Sequence, residues 1–218
     1  MFIGHYAVAL AAKSAAPRTS LGTLFAAAQL VDLIWPIFLL LGIEHVRIAP
    51  GITAFTPLDF YDYPWTHSLL MVCVWGVLFG GGYYALRRAA RPAVVVGLLV
   101  VSHWVLDLIV HRPDLPLVPG GTTRLGLGLW SSVTGTVIVE SLLFVAGLAI
   151  YVRFTRPVNK VGMLAFWSLI AFLIVIDILN LTSPPPPSTK ALAWGAIARW
   201  LLPFWAGWAD GRRTIHEL

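Results

Sequence analysis

The chain has 218 residues, of which 58% are hydrophobic and only 11% are charged, and its mean hydropathy is +0.81. Soluble domains average about 25% charged residues, so this composition excludes an ordinary soluble domain and indicates an integral membrane protein. The formal net charge of +5 comes from residues in short loops without a dense basic patch, which argues against nucleic-acid binding. The single cysteine, Cys73, excludes disulfides within the chain and cysteine-based zinc sites.

Apolar windows of about 20 residues predict the spanning helices, because each approaches the length that crosses a hydrocarbon core of about 30 Å. These windows are 21–43, 67–86, 92–111, 131–152, 161–182 and, less cleanly, 190–208. Residues 2–16 are also apolar but span only about 22 Å as a helix, so a short span, a re-entrant piece and an interfacial helix all stay open. We predict an all-α, polytopic transmembrane helix bundle with about six spanning helices plus a short N-terminal apolar helix, in a single domain covering 1–218.

The loop charges predict an orientation, since basic residues gather in alternate loops and the positive-inside rule places such loops in the cytoplasm. The basic residues of those loops are Lys13, Arg18, Arg87, Arg88, Arg91, Arg153, Arg156, Lys160, Arg212 and Arg213. We therefore expect a cytoplasmic C-terminus, with loops 44–66 and 112–130 on the outside, and a bacterial inner membrane as the location.

An H-x3-D-x3-H run at the end of segment 92–111 is the most informative motif. His103, Asp107 and His111 lie four residues apart and therefore share one face of a helix. An ionisable group in hydrocarbon costs a few kcal/mol or more, so it is usually paired, buried against protein or functional. With the orientation above, other segments bring further ionisable residues to the same outer half. These are Asp32, His67, Glu140, Asp177 and, if the first segment begins outside, His5.

Imidazole and carboxylate donors without a thiolate suit a divalent metal, with zinc as the first choice and manganese or iron as alternatives. A bound metal makes hydroxide available near neutral pH, and a nearby free carboxylate can act as general base. The predicted ligands are His67, His103, Asp107 and Asp32, with His5 as a further ligand. The candidate catalytic carboxylates are Glu140 and Asp32.

Several of these residues also have structural interpretations. His103 and Asp107 could form a buried hydrogen-bonded pair that locks helices together, and Thr66 or Ser68 could cap the helix that follows His67.

For the remaining acidic residues, an ion pair is the alternative to catalysis. Glu140 or Asp177 could pair with Arg199, the lone arginine of the last apolar segment. His111 and Asp114 lie near the expected outer surface, where polar residues need no special explanation.

Four short motifs, in this order, resemble the membrane-bound metal-dependent hydrolases of the YdjM-like group. They are Gly4-His5, Asp32 with a following proline, Thr66-His67-Ser68-Leu69, and Ser102-His103 with Asp107. The resemblance covers roughly residues 1–115. It implies a multi-spanning protein in which His5, Asp32, His67, His103 and Asp107 hold a metal for hydrolysis. That group usually has a denser Asp-x-Asp-His cluster in its second segment, whereas this chain has Asp32 alone.

Two functions of different classes follow from these observations. The first is a metal-dependent hydrolase that acts on a lipid phosphoester or ester from the outer half of the bilayer, with membrane lipids as partners. The alternative is a non-catalytic accessory or structural subunit of a larger membrane protein complex. An ion or proton pathway is disfavoured, because residues 76–86 and 142–151, in the inner halves of two segments, contain few polar groups.

The orientation can be tested with single cysteines in a Cys73→Ala background. The charge alternation predicts that Ala90→Cys and Thr122→Cys are labelled from opposite sides of intact cells by a membrane-impermeant maleimide. Labelling of both positions from one side would refute the orientation.

Overall fold

The computed structural model describes residues 1–216, which are mostly helical. The helices are α1 (Ile3–Ala12), α2 (Leu21–Ala28), α3 (Leu30–Leu40), α4 (Pro64–His67), α5 (Leu69–Arg87), α6 (Ala90–Val110), α7 (Val133–Phe154), α8 (Lys160–Thr182), α9 (Thr189–Ile197) and α10 (Leu201–Asp210). Short 3₁₀ turns cover Leu129–Ser131 and Ala198–Trp200. Three antiparallel strand pairs join β1 (His45–Ile48) to β2 (Leu58–Asp62), β3 (Leu115–Pro116) to β4 (Arg124–Leu125), and β5 (Thr155–Pro157) to β6 (Arg213–Ile215).

Four helices, α5 to α8, are long and apolar enough to cross a membrane. The pair α2 and α3 also passes that test when taken together, but the two are bent by 55° and would form one broken span. The predicted segment 190–208 is divided into α9, a 3₁₀ turn and α10, so it does not form a single helix of spanning length. The multi-pass helical class is thus supported, whereas the count of about six spans is not confirmed.

The break in segment 21–43 lies at Gln29, between α2 and α3, which has φ −104° and ψ 4°, outside the helical range. Asp32 therefore lies in the first turn of a new helix, close to the bend. Pro36, further along α3, has no backbone N–H and leaves the carbonyl of Asp32 without its helical donor.

The short helix α1 lies inside the bundle, where it packs mainly against α7, α2 and α6. Seven of its ten residues are buried: Ile3, Gly4, His5, Tyr6, Ala7, Ala9 and Leu10. Contact with α7 is very close at Gly147, where a Cβ atom would lie 2.2 Å from the carbonyl oxygen of Ala7. This enclosed position does not fit the interfacial-helix alternative.

The bundle has two chemically different ends. At one end the basic loops come together, since Lys13 Nζ lies 2.6 Å from Asp210 Oδ2, Thr19 Oγ1 lies 3.0 Å from the hydroxyl of Tyr83, and β5 pairs with β6. The His103–Asp107 stripe lies toward the opposite end of α6. The expectation that the basic loops share one side therefore agrees with the fold, and which side is cytoplasmic stays a prediction.

Candidate metal centre

The carboxylate of Asp107 is the centre of a buried polar cluster. His103 Nε2 lies 3.2 Å from Asp107 Oδ2, and His5 Nε2 lies 3.1 Å from Asp107 Oδ1. The rings of His5 and His103 stack with 1° between their planes and 3.7 Å between their centroids. All three side chains are almost fully buried. The amino group of Met1 also lies 2.7 Å from Asp107 Oδ1.

His67 and Asp32 complete the cluster from α4 and α3. His67 Nε2 lies 3.4 Å from Asp32 Oδ1 and 4.0 Å from Asp107 Oδ2. Asp32 Oδ1 is in turn 3.8 Å from His103 Nε2. The structure thus brings together all five residues predicted as ligands. Two overlapping triads have donor atoms within 4.8 Å of one another: His5–His103–Asp107 and Asp32–His67–His103.

The orientation of His103 is fixed by the bend between α2 and α3. Its Nδ1 lies 2.8 Å from the carbonyl oxygen of Ala28, the last residue of α2. A carbonyl can only accept, so Nδ1–H donates and Nε2 is the ring nitrogen directed toward the two carboxylates. This is the usual arrangement behind a metal-binding histidine.

His67 is oriented in the same way by Glu44, which acts through Thr66 and which the sequence did not single out. The hydroxyl of Thr66 donates to Glu44 Oε2 at 2.7 Å and accepts from His67 Nδ1 at 2.7 Å, so Nε2 is the ring nitrogen of His67 that faces the cluster. Glu44 also accepts from the backbone N–H groups of Trp65 and Thr66, both at 2.8 Å. Burial raises the pKa of Glu44 above its ordinary value, and these bonds act in the opposite direction.

Nothing local in the sequence distinguishes Glu44 from other loop acids, because its partners lie more than 20 residues away. Of the two hydroxyls considered as caps, that of Ser68 accepts from Met71 N and caps α5, whereas that of Thr66 lies behind the imidazole of His67.

Arg199 is held by a carboxylate, as expected, but its predicted partners were wrong. Its Nη1 donates to Asp32 Oδ2 at 2.9 Å. Glu140 Oε2 instead accepts from Phe2 N and Gly4 N, at 2.8 and 3.3 Å, at the beginning of α1. Asp177 Oδ1 is buried and, within residues 1–216, has no hydrogen-bond partner. Arg199 lies in the 3₁₀ turn at Ala198–Trp200, which the sequence did not reveal, and from there it faces Asp32 of α3 rather than Glu140 or Asp177.

His111 is buried rather than exposed to water, which corrects the expectation for this residue. Its Nδ1 lies 2.8 Å from Asp114 Oδ1, and its Nε2 lies 4.0 Å from Asp107 Oδ2. The hydroxyl of Tyr63 donates to the same oxygen of Asp114 at 3.1 Å. Burial lowers the pKa of His111 from its ordinary value, and the bond to Asp114 offsets only part of that effect. His111 therefore lies buried at the rim of the cluster, where its surroundings disfavour the protonated ring.

The cluster opens into a cavity of about 520 Å³. Asp32, His67, Asp107, His111 and Arg199 line its polar end. Its walls are mostly apolar and come from α3, from β2 and the loop before it, from the 3₁₀ turn at Leu129–Ser131, from the end of α8 and from α9. The wall residues are Trp35, Phe55, Pro57, Leu58, Phe60, Trp130, Ile176, Leu179, Leu192 and Ala196. A polar centre is thus reached through an apolar passage.

The side chains of the cluster are suited to bind a divalent ion, and not all of their buried polar atoms are paired with one another. Three imidazoles and two carboxylates are acceptable ligands for zinc, manganese or iron. Two buried ring nitrogens, His103 Nε2 and His5 Nδ1, have no hydrogen-bond partner within the described chain. Buried polar groups without partners are rare in folded proteins and need an explanation.

Comparison with family models, curated proteins and solved structures gives no match. The resemblance to the YdjM-like group stays a prediction, and the functional argument rests on the geometry of this site.

The Arg199–Asp32 pair can be tested by a double-mutant cycle. Arg199→Ala leaves the Asp32 carboxylate without its strongest partner, so we expect a lower melting temperature in detergent. Asp32→Asn should lower it as well, and the double variant should be more stable than the sum predicts, by about 0.5–3 kcal/mol. Additive effects in thermal unfolding would show that the two side chains do not interact.

Proposed function

We propose that the protein is a metal-dependent hydrolase of the membrane, acting on a lipid phosphoester or ester from the non-cytoplasmic side. The metal ligands in this proposal are His5, Asp32, His67, His103 and Asp107. Zinc is the first choice of metal, with manganese and iron as alternatives.

The observation that carries this proposal is the convergence of prepared ligands from four separate helices. His5, Asp32, His67 and the pair His103–Asp107 come from α1, α3, α4 and α6. The Nδ1 atoms of His67 and His103 are held by groups outside the cluster, so both Nε2 atoms face it. Both can coordinate one ion in the neutral form of the ring, which is the form that metal binding selects.

When bound, a divalent ion would lower the pKa of a water to near neutral and polarise the ester oxygen. The side chains supply the rest. Arg199 holds Asp32 in place, and Asp114 holds His111 at the rim of the cluster. Glu140 uses Oε2 to hold the beginning of α1, while its Oε1 is buried and has no partner within residues 1–216. Glu140 is the candidate general base of this proposal, since its Oε1 has no other partner in the described chain, and it lies behind α1 rather than in the lining of the cavity.

A lipid substrate is supported by the apolar cavity that leads to the cluster. Its walls come from α8, which is long and apolar enough to span a membrane, and from α9. The cluster and the basic loops lie at opposite ends of the bundle. With the basic loops in the cytoplasm of a bacterial inner membrane, the cluster would lie in the outer half of the bilayer.

The metal proposal predicts non-additive losses. His67→Ala and His103→Ala should each reduce bound metal to well below one equivalent, and the double variant should lose little more, because both residues act on one ion. Metal is measured by elemental analysis of protein purified without a metal-binding tag. His45→Ala is the matched control, since His45 is exposed and bonded to Asp62 on the surface. Stoichiometric metal in His103→Ala would refute the site.

Hydrolysis itself is measured on the same preparations. Phosphatidic acid, phosphatidylglycerol and a long-chain p-nitrophenyl ester are supplied in mixed micelles, and products are quantified by mass spectrometry. We expect turnover of at least one class that a chelator abolishes and zinc restores. A metal-loaded protein that turns over none of them would favour the accessory-subunit alternative.

The Glu44–Thr66–His67 chain generates a separate prediction. Thr66→Val keeps the shape of the side chain but removes the hydroxyl that holds His67 Nδ1. Loss of such an outer contact typically lowers metal affinity by about 10- to 100-fold, and competition with a fluorescent chelator measures that change. Thr122→Val, at an exposed loop position, is the control. Equal affinities of the two variants would show that the hydroxyl does not support His67.

A further inference from the structure

We propose that the cavity between α8 and α9 is the substrate port, and that it takes a phosphate-bearing amphiphile whose headgroup binds Arg199. This inference rests on the proposed function and narrows its substrate class from esters in general to phosphoesters on an alkyl chain.

The charges around the cluster favour an anion. Asp32 and Asp107 are the two carboxylates among the proposed ligands, and a divalent ion would balance both. The amino group of Met1, beside Asp107, balances Glu140, which holds the beginning of α1. The guanidinium of Arg199 then leaves a surplus positive charge beside the metal. A surplus positive charge in a site lined by apolar walls attracts an anionic group more strongly than a neutral ester.

Arg199 is placed to add a phosphate to its present contacts. Its Nη1 donates to Asp32 and its Nε lies 3.4 Å from the carbonyl oxygen of Ala196, while Nη2 donates to no group within residues 1–216. The side chain is 21% exposed and lines the cavity. A guanidinium offers five N–H donors in a planar fork that matches phosphate oxygens. Asp32 can therefore hold Arg199 in position while its remaining donors bind the headgroup.

The walls of the cavity favour an alkyl chain over a free phosphate ion. Ile176 and Leu179 line it from α8, and Leu192 and Ala196 line it from α9. The same two helices carry exposed apolar residues on their outer surfaces, including Ile178, 53% exposed, and Trp194, 64% exposed. An alkyl chain that leaves the cavity between α8 and α9 would thus pass directly into lipid.

Gly195 of α9 offers a way to close this passage without disturbing the cluster. It lines the cavity, and a Cβ atom added there would meet no other atom within 4 Å. Gly81 of α5 is equally open but is not among the residues that line the cavity, which makes it the matched control.

The test measures binding of dodecyl phosphate to the zinc-loaded, full-length protein by isothermal titration calorimetry in a non-ionic detergent. Inorganic phosphate and dodecanol are titrated separately to distinguish the headgroup from the chain. We expect dodecyl phosphate to bind at least tenfold more tightly than either. Arg199→Gln and Gly195→Phe should each weaken it at least tenfold, and Gly81→Phe should leave it unchanged.

Equal affinity for inorganic phosphate and dodecyl phosphate, or an unchanged affinity in Gly195→Phe, would refute the proposal that the cavity is the substrate port. Neither result depends on whether Arg199→Gln folds stably. Metal content is determined in every sample. If zinc-loaded Arg199→Gln and Gly195→Phe both bind dodecyl phosphate as tightly as the wild type, this inference alone is refuted. If the wild-type protein binds no metal, the proposed function is refuted.

Discussion

Burial of the Asp107 carboxylate in an apolar helix bundle is the constraint on which the rest of the structure depends. A carboxylate removed from water is strongly destabilising unless it is paired and hydrogen-bonded. Asp107 meets this requirement through His103 on its own helix, through His5 of α1 and through the amino group of Met1, which precedes α1. The short helix α1 therefore has to lie inside the bundle, and close contacts such as that of Gly147 with Ala7 allow it to.

Two breaks between helices bring to the cluster polar groups that regular helices would direct elsewhere. The bend between α2 and α3 exposes the carbonyl of Ala28 to His103, and the 3₁₀ turn between α9 and α10 directs Arg199 to Asp32. Irregular backbone at membrane depth is tolerated where it is buried in protein or lines a cavity, and both breaks meet that condition. Discontinuous helices that supply polar groups to a binding site near the middle of a bilayer are a recurrent device in membrane transporters.

A comparison of the two ends of the bundle separates a stabilising network from a binding site. At the basic end, Asp210 accepts from Lys13, from the hydroxyl of Tyr151 and from the backbone of Leu21, so the buried charge is fully satisfied. At the other end, His5 Nδ1 and His103 Nε2 are buried without partners within the described chain. Satisfied networks stabilise a fold, whereas buried groups without partners need an explanation, of which a bound ion is one.

The sequence by itself determined that the chain is mostly helical, with apolar segments long enough to span a membrane, and it identified the five clustered residues, because apolar windows and the cost of ionisable groups within them are local properties. The i,i+4 spacing of His103 and Asp107 likewise needs no tertiary information. Only the tertiary structure decided the partner of Arg199, the support of His67 by Glu44 through Thr66, the burial of His111 and the enclosed position of α1. These features depend on where helices break and which distant segments meet at the break, and side chains more than 20 residues apart carry no local pattern that reveals such contacts.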